Sequence, residues 1–146
     1  MTDLSHVDET GAVRMVDVGS KPVSRRRARA QAVVRMAPET AARLSQLPKG
    51  DALAAARLAG IMAAKRTSEL IPLCHPLPLT HIAVDLQVGD DSVDIVASAE
   101  AAAQTGVEME ALVAATVAAL TVYDMAKGVD SGMEIGEVRL LEKVKE

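Results

Sequence analysis

The sequence predicts an α+β fold of the ferredoxin-like, split βαβ type, with an antiparallel sheet and helices packed on one face. Three observations carry this. From Ala28 onward the periodicities run strand, helix pair, strand, strand, helix, strand. The two middle strands are joined by Gly89-Asp90-Asp91-Ser92, a short hairpin signal. The segment Thr105 to Lys127 is apolar through its middle, built largely from alanine and valine, with its charges at the two tips. A surface helix spreads charge along one solvated face; this one reads as a buried rod.

Taken in order, residues 1–12 are expected to form a flexible N-terminal segment with Gly11 as punctuation, ahead of a single domain over 13–146. Val13 to Val18 is expected to be a short strand, and Gly19 to Pro22 a turn. Ala28 to Met36 alternates as a strand, with Arg29, Gln31 and Arg35 on one side. Pro38 in a first helical turn opens a helix to about Leu47, and Pro48-Lys49-Gly50 breaks it. Asp51 is the expected N-cap of a second helix, Ala52 to about Leu70, with a narrow small-residue face (Leu53, Ala56, Ala59, Gly60, Ala63, Ala64). Three prolines in Ile71 to Pro78 force a rigid, extended loop. Thr80 to Val88 and Val93 to Ala99 are the hairpin strands, and Ile82, Val84, Leu86 and Val88 share one face. After the long helix, Gly128 to Gly132 breaks the chain and Met133 to Leu141 closes the sheet.

With 146 residues, 49% hydrophobic and 25% charged, the chain can bury one core and reads as soluble and globular. No uncharged apolar run reaches the length of a membrane span. The acidic, polar N-terminus resembles no secretory signal. One cysteine, Cys74, excludes an internal disulfide, so a cytoplasmic location is expected. Tyr123 is the single aromatic and the net charge is −4. Both weigh against nucleic acid, which is bound through stacking platforms and phosphate neutralisation. The shortage of large side chains leaves apolar faces for oligomerisation to cover.

The candidate chemistry lies at the helix tips and in the loops. Acids in a first turn and a lysine at the last suit the helix dipole, which accounts for Glu108, Glu110 and Lys127 but not for Asp124. Glu110 and Asp124 are fourteen residues apart, roughly 21 Å along the axis, so one straight helix cannot bring both to one reacting atom. His75, fixed between Cys74 and Pro76, is placed for proton transfer or phosphate contact, or is a hydrogen-bonded structural histidine. Lys49-Gly50-Asp51 is similar to a phosphate-facing turn before a helix N-terminus but lacks Walker spacing. Lys65-Arg66, Arg25-Arg26-Arg27-Arg29 and Lys127 add cations that together could face an anionic ligand, although solvated surface is the commoner explanation for each one separately. One cysteine and three histidines in no paired spacing make no zinc pattern, so no metal is expected.

L-C-H-P, K-G-D, T-G-V-E-M-E-A-L and Y-D-M-A-K, with M-V-D-V, R-x-A-x-A and A-A-K-R-T, occur here in the order of one family. The chain resembles the cyclic pyranopterin monophosphate synthases, the molybdenum cofactor biosynthesis protein C family, over about Arg14 to Leu141. The resemblance implies a ferredoxin-like fold and a homohexamer, a trimer of dimers with active sites at dimer interfaces. It also implies a phosphorus–oxygen lyase without a redox cofactor. The implied reaction converts 3′,8-cyclo-7,8-dihydro-GTP, a nucleotide-derived small molecule, to cyclic pyranopterin monophosphate and pyrophosphate. Carried over by motif, Asp124 matches the catalytic aspartate, and Lys127 and Lys49 match residues tied to activity. Leu73, Cys74, His75, Met109 and Glu110 match substrate contacts, as do Glu108 and Lys65. Many members have a basic residue just before T-G-V-E-M-E; here it is Gln104, so a phosphate contact from that position is not carried over. The rival readings are a non-catalytic effector-binding module, which would bind tightly without turnover, and an oligomeric scaffold, which would not need polar helix tips.

Overall fold

The computed structural model describes residues 4–146. Four strands and four helices follow one another as β1 (Ser24–Arg35), α1 (Pro38–Ala41), α2 (Ala52–Lys65), α3 (Thr67–Leu70), β2 (Leu79–Val88), β3 (Ser92–Ala103), α4 (Glu108–Ala126) and β4 (Glu134–Lys145). The sheet order is β2-β3-β1-β4, with every neighbouring pair antiparallel. The helices cover one face, so the fold is α+β and ferredoxin-like, as the order of periodicities predicts.

Small side chains set the spacing of the layers. Ala28, Ala30 and Ala32 of β1, Ala97, Ala99 and Ala101 of β3, and Ala111, Ala114, Ala115, Ala118 and Ala119 of α4 are all buried. Helix and sheet therefore approach closely, and valines, Ile95 and Leu44 fill what remains. Gly60 of α2 faces α4 so tightly that an added Cβ would lie 2.9 Å from the Ala114 carbonyl oxygen and 3.0 Å from Val84 Cγ2. Composition and length alone would let α4 cross a membrane. In this fold it is the core helix, packed on β1, β3, β4 and α2.

The opposite face of β1 is charged. Arg27 and Arg29 pair with Glu142 of β4, and Arg35 pairs with Glu137. The β1–β4 ladder slips at Arg29/Ala30 and again at Gln31/Val33. Glu137 takes a positive φ of 50° there, and its carbonyl accepts from Gln31 Nε2.

Several boundaries depart from the sequence expectation. Residues 13–18 form no strand: Val13 makes one isolated bridge to Val7, and Val13 and Met15 are exposed. Asp8 fixes the turn between them by accepting from the Thr10 and Ala12 backbone N–H groups, while residues 1–3 of the expected flexible segment lie outside the described residues. The helix opened by Pro38 stops at Ala41, because Arg43 and Gln46 donate three residues back and tighten the chain into turns. The second helix breaks at Arg66, where the Thr67 hydroxyl donates to the Ala63 and Ala64 carbonyls and α3 starts anew. Asp51 caps α2 as expected, accepting from Leu53 and Ala54 N–H at 3.0 and 3.1 Å.

Candidate functional site

The two tips of α4 hold two separate groups of residues. At the N-terminal tip a cavity of about 360 Å³ is lined by Glu108, Met109 and Glu110 of α4, by Leu73, Cys74 and His75 of the proline-bound loop, and by the N-terminal arm. The loop expected to be extended throughout opens instead with a turn, Cys74 N–H donating to the Ile71 carbonyl at 3.1 Å, and then runs without regular structure through Pro76 and Pro78 to β2. Six residues that the sequence singles out for substrate contact thus share one cavity. Volume alone does not mark it, since similar cavities lie beside Arg25 and beside Arg57. The Glu110 side chain does. Glu110 is only 4% exposed, and its Oε2 has no hydrogen-bond partner among the described residues. A buried carboxylate oxygen without a partner is costly, and it points to a ligand that would supply one.

Burial, helped by the nearby charge of Glu108, pushes the Glu110 carboxyl up to about 7. Glu110 therefore stands near half-protonation at neutral pH, able to give or take a proton. Burial, with the Glu110 charge in support, also raises the Cys74 thiol. Both effects favour the neutral thiol in the cavity wall. His75 lies 2.6 Å from the Val16 carbonyl oxygen through Nε2. A carbonyl only accepts, so Nε2 carries the proton and donates, and any proton role for His75 falls to Nδ1.

At the C-terminal tip, Asp124 sits between two ammonium groups. Lys127 Nζ lies 3.0 Å from Oδ1 and Lys49 Nζ lies 3.2 Å from Oδ2. Lys49 also donates to the Asp124 backbone carbonyl at 3.1 Å. The hydrogen bonds from Lys127 and then Lys49 hold the Asp124 carboxyl below the usual carboxylate range. All three side chains are about half exposed. The cluster is a cationic patch with a carboxylate fixed at its centre, suited to receiving an anion.

The two groups do not meet within one chain. Glu110 and Lys127 are seventeen residues apart on α4, roughly 25 Å along its axis. Lys65 belongs to neither group by contact. Because Lys49 reaches Asp124 and Gly60 packs on Ala114, α2 runs antiparallel to α4, which carries Lys65, exposed, toward the Glu110 end.

Sequence reading missed the arm. Val16, Val18, Lys21 and His6 line the cavity beside His75 and Glu110. M-V-D-V was visible as a motif, but its role as a wall depends on tertiary hydrogen bonds, from His75 to Val16 and from Gln104 to Gly19 just beyond it.

Fold and site together define a small α+β protein of ferredoxin-like topology, with clustered polar groups at both ends of its core helix. The chain belongs to the MoaC family, whose profile matches residues 15–145. A protein of Roseiflexus sp. (strain RS-1) is 58% identical over 147 residues, covering 98% of this chain and 93% of its own length. Proteins of Parvibaculum lavamentivorans and Brucella ovis are 56% identical over 144 residues, covering 96% of this chain. All three relatives bear the name cyclic pyranopterin monophosphate synthase.

Proposed function

We propose that this chain is a cyclic pyranopterin monophosphate synthase of molybdenum cofactor biosynthesis. The observation that carries the reading is near-full-length identity of 56–58% to relatives of that name. The arrangement of groups at the tips of α4 supports it. The substrate is 3′,8-cyclo-7,8-dihydro-GTP, and the products are cyclic pyranopterin monophosphate and pyrophosphate. The class is phosphorus–oxygen lyase, and the setting is cytoplasmic.

The chemistry suits the groups present. Opening the purine and rebuilding it as a pterin needs several proton transfers, and Glu110 near half-protonation can serve in either direction. Leu73, Cys74 and Met109 give the ring system an apolar wall, and Glu108 and His75 border it. The cyclic phosphate forms when a ribose-derived hydroxyl attacks the α-phosphorus. A new O–P bond forms, the bond to the β-phosphate oxygen breaks, and pyrophosphate leaves. Asp124 accepts the hydroxyl proton, and Lys127 and Lys49 stabilise the growing charge on the phosphates, with Lys65 a further phosphate contact.

These assignments require both tips in one site. Two copies related by a two-fold axis can set the start of one α4 against the end of its partner's. Leu58 and Met62 of α2 and Leu120 of α4 are apolar and exposed in the single chain, as faces awaiting a neighbour are. A closed homo-oligomer, a hexamer built as a trimer of dimers, follows from the reading. The test is to supply the cyclised nucleotide to purified protein and measure product and pyrophosphate. Both should appear in equal amounts; bound but unconverted substrate on folded protein would favour a binding module instead.

A further inference from the structure

We infer that Asp130 is a positioning residue for the synthase reaction: it locks the turn that follows α4 onto the start of α1, and so sets Lys49 against Asp124. The inference rests on reading the Lys49–Asp124–Lys127 cluster as part of the site of the proposed synthase. The Asp130 carboxylate has three partners. Oδ2 accepts from the Ala37 N–H and from the Thr40 hydroxyl, each at 2.9 Å, and Oδ1 accepts from the Gly132 N–H at 3.0 Å. Thr40 is buried, so the contact is rooted in the core. The hydrogen bonds from Ala37 and Gly132 hold the Asp130 carboxyl below the usual carboxylate range, so it is ionised at neutral pH and its bonds are charge-assisted. Among the described residues, no ion pair joins it to a lysine or arginine, so it acts on the cluster through the backbone.

Two runs of backbone bonds carry this clamp to the cluster. On one side Lys127 N–H donates to the Tyr123 carbonyl at 2.9 Å and Asp130 N–H to the Ala126 carbonyl at 3.1 Å, so Asp130 moves with the end of α4. On the other side Arg43 N–H donates to the Thr40 carbonyl at 3.0 Å and Gln46 N–H to the Arg43 carbonyl at 2.8 Å. Leu47 and Gly50 then exchange N–H···O bonds at 3.1 and 2.9 Å around Pro48 and Lys49. Lys49 is thereby carried on a tight loop fastened to Thr40. The Lys49–Asp124 pair is about half exposed, and such a pair holds two mobile side chains together only weakly. Asp130 supplies the fixed spacing of the two backbones that the pair lacks.

The test uses the full chain and its Asp130→Ala, Asp130→Asn and Thr40→Val variants, each made in wild type and in Lys49→Ala. Turnover of the cyclised dihydro-GTP is measured at a temperature where unfolding midpoints show the chains folded. Asp130→Ala should lower kcat about tenfold or more with KM within about twofold, the pattern of a misplaced group that acts in the transition state. Asparagine keeps one carbonyl oxygen for Ala37 and Thr40, so Asp130→Asn should recover most of the loss. Thr40→Val, which removes one donor and keeps the bond to Ala37, should give a smaller loss of the same kind. In Lys49→Ala, each change should lower kcat by no more than about twofold further, because the group being positioned is gone. Equal losses in both backgrounds, for Asp130→Ala or for Thr40→Val, would show a general structural role and overturn the inference. A wild-type kcat in Asp130→Ala overturns it too, and both results leave the synthase reading intact. A wild-type chain that turns nothing over removes both.

Discussion

At the scale of the residue, Glu110 and Asp124 show how one fold sets two carboxyl groups to opposite states. Glu110 is buried with one oxygen unpartnered, so its proton is held up to about pH 7. Asp124 lies in solvent between two lysines and stays ionised below the usual range. The first has a consequence for stability. An unfolded glutamate releases its proton near 4.5, so between there and about 7 the folded chain binds more protons than the unfolded one. Stability should therefore be highest below that window and fall as pH rises through it, by about 3 kcal/mol at most. Chemical unfolding from pH 4.5 to 8 should show this slope in wild type and lose most of it in Glu110→Gln. An equal slope in both would place the proton elsewhere. Asp124→Asn should lower turnover by at least about a hundredfold, the usual scale of a lost base, and Lys49→Ala and Lys127→Ala by a similar factor, the scale of a lost charge-stabilising donor. All three groups are exposed, so circular dichroism and the unfolding midpoint should stay near wild type; near-normal rates in all three would remove the cluster from the site. Residues were legible in the sequence where chemistry and spacing agreed. Asp124 stood out because a helix dipole disfavours an acid in the last turn. Asp130 did not stand out, because its partners Ala37 and Thr40 are brought to it only by the tertiary fold.

At the scale of the element, the strands and α4 were legible because their periods are strong, and the hairpin at Gly89 to Ser92 because its turn chemistry is local. The misread segments are those decided by tertiary contacts or by single hydrogen bonds. Residues 13–18 alternate like a strand, yet Val16 and Val18 serve as a wall, with His75 holding Val16 and Gln104 holding the adjoining Gly19. Pro38 to Leu47 reads as one helix, yet it turns after Ala41, where Asp130 reaches across to accept from Ala37 N–H and the Thr40 hydroxyl. Gly60 carries the clearest energetic consequence. A Cβ there meets the Ala114 backbone and Val84, neither of which can swing away. Gly60→Ala should give a net destabilisation of up to about 2 kcal/mol, because an overpacking cost of about 1–3 kcal/mol outweighs the roughly 1 kcal/mol that alanine gains in a helix. Asp51→Ala should cost about 1 kcal/mol through the lost cap of α2. Urea unfolding midpoints check both; a Gly60→Ala chain at least as stable as wild type would mean that α2 and α4 are less closely packed.

At the scale of the whole molecule, a core of alanine and valine has two effects. It lets α4 lie close on the sheet, and it leaves exposed apolar side chains on α2, α4 and β4. Sedimentation at micromolar concentration should show a closed oligomer; a monomer would leave the two tips of α4 roughly 25 Å apart with no means of meeting. The central claim is that one site takes Glu110 from one chain and Lys127 from its partner. Glu110→Gln and Lys127→Ala homo-oligomers should each be nearly inactive. Unfolded and refolded together, they should regain activity, because a mixed pair holds one site with both wild-type groups. Random pairing sets the ceiling at about a quarter of wild-type turnover. Recovery toward that value is the predicted result. No recovery, with subunit exchange verified by mass spectrometry of the mixed oligomers, would contradict the shared site and confine the two groups to separate centres.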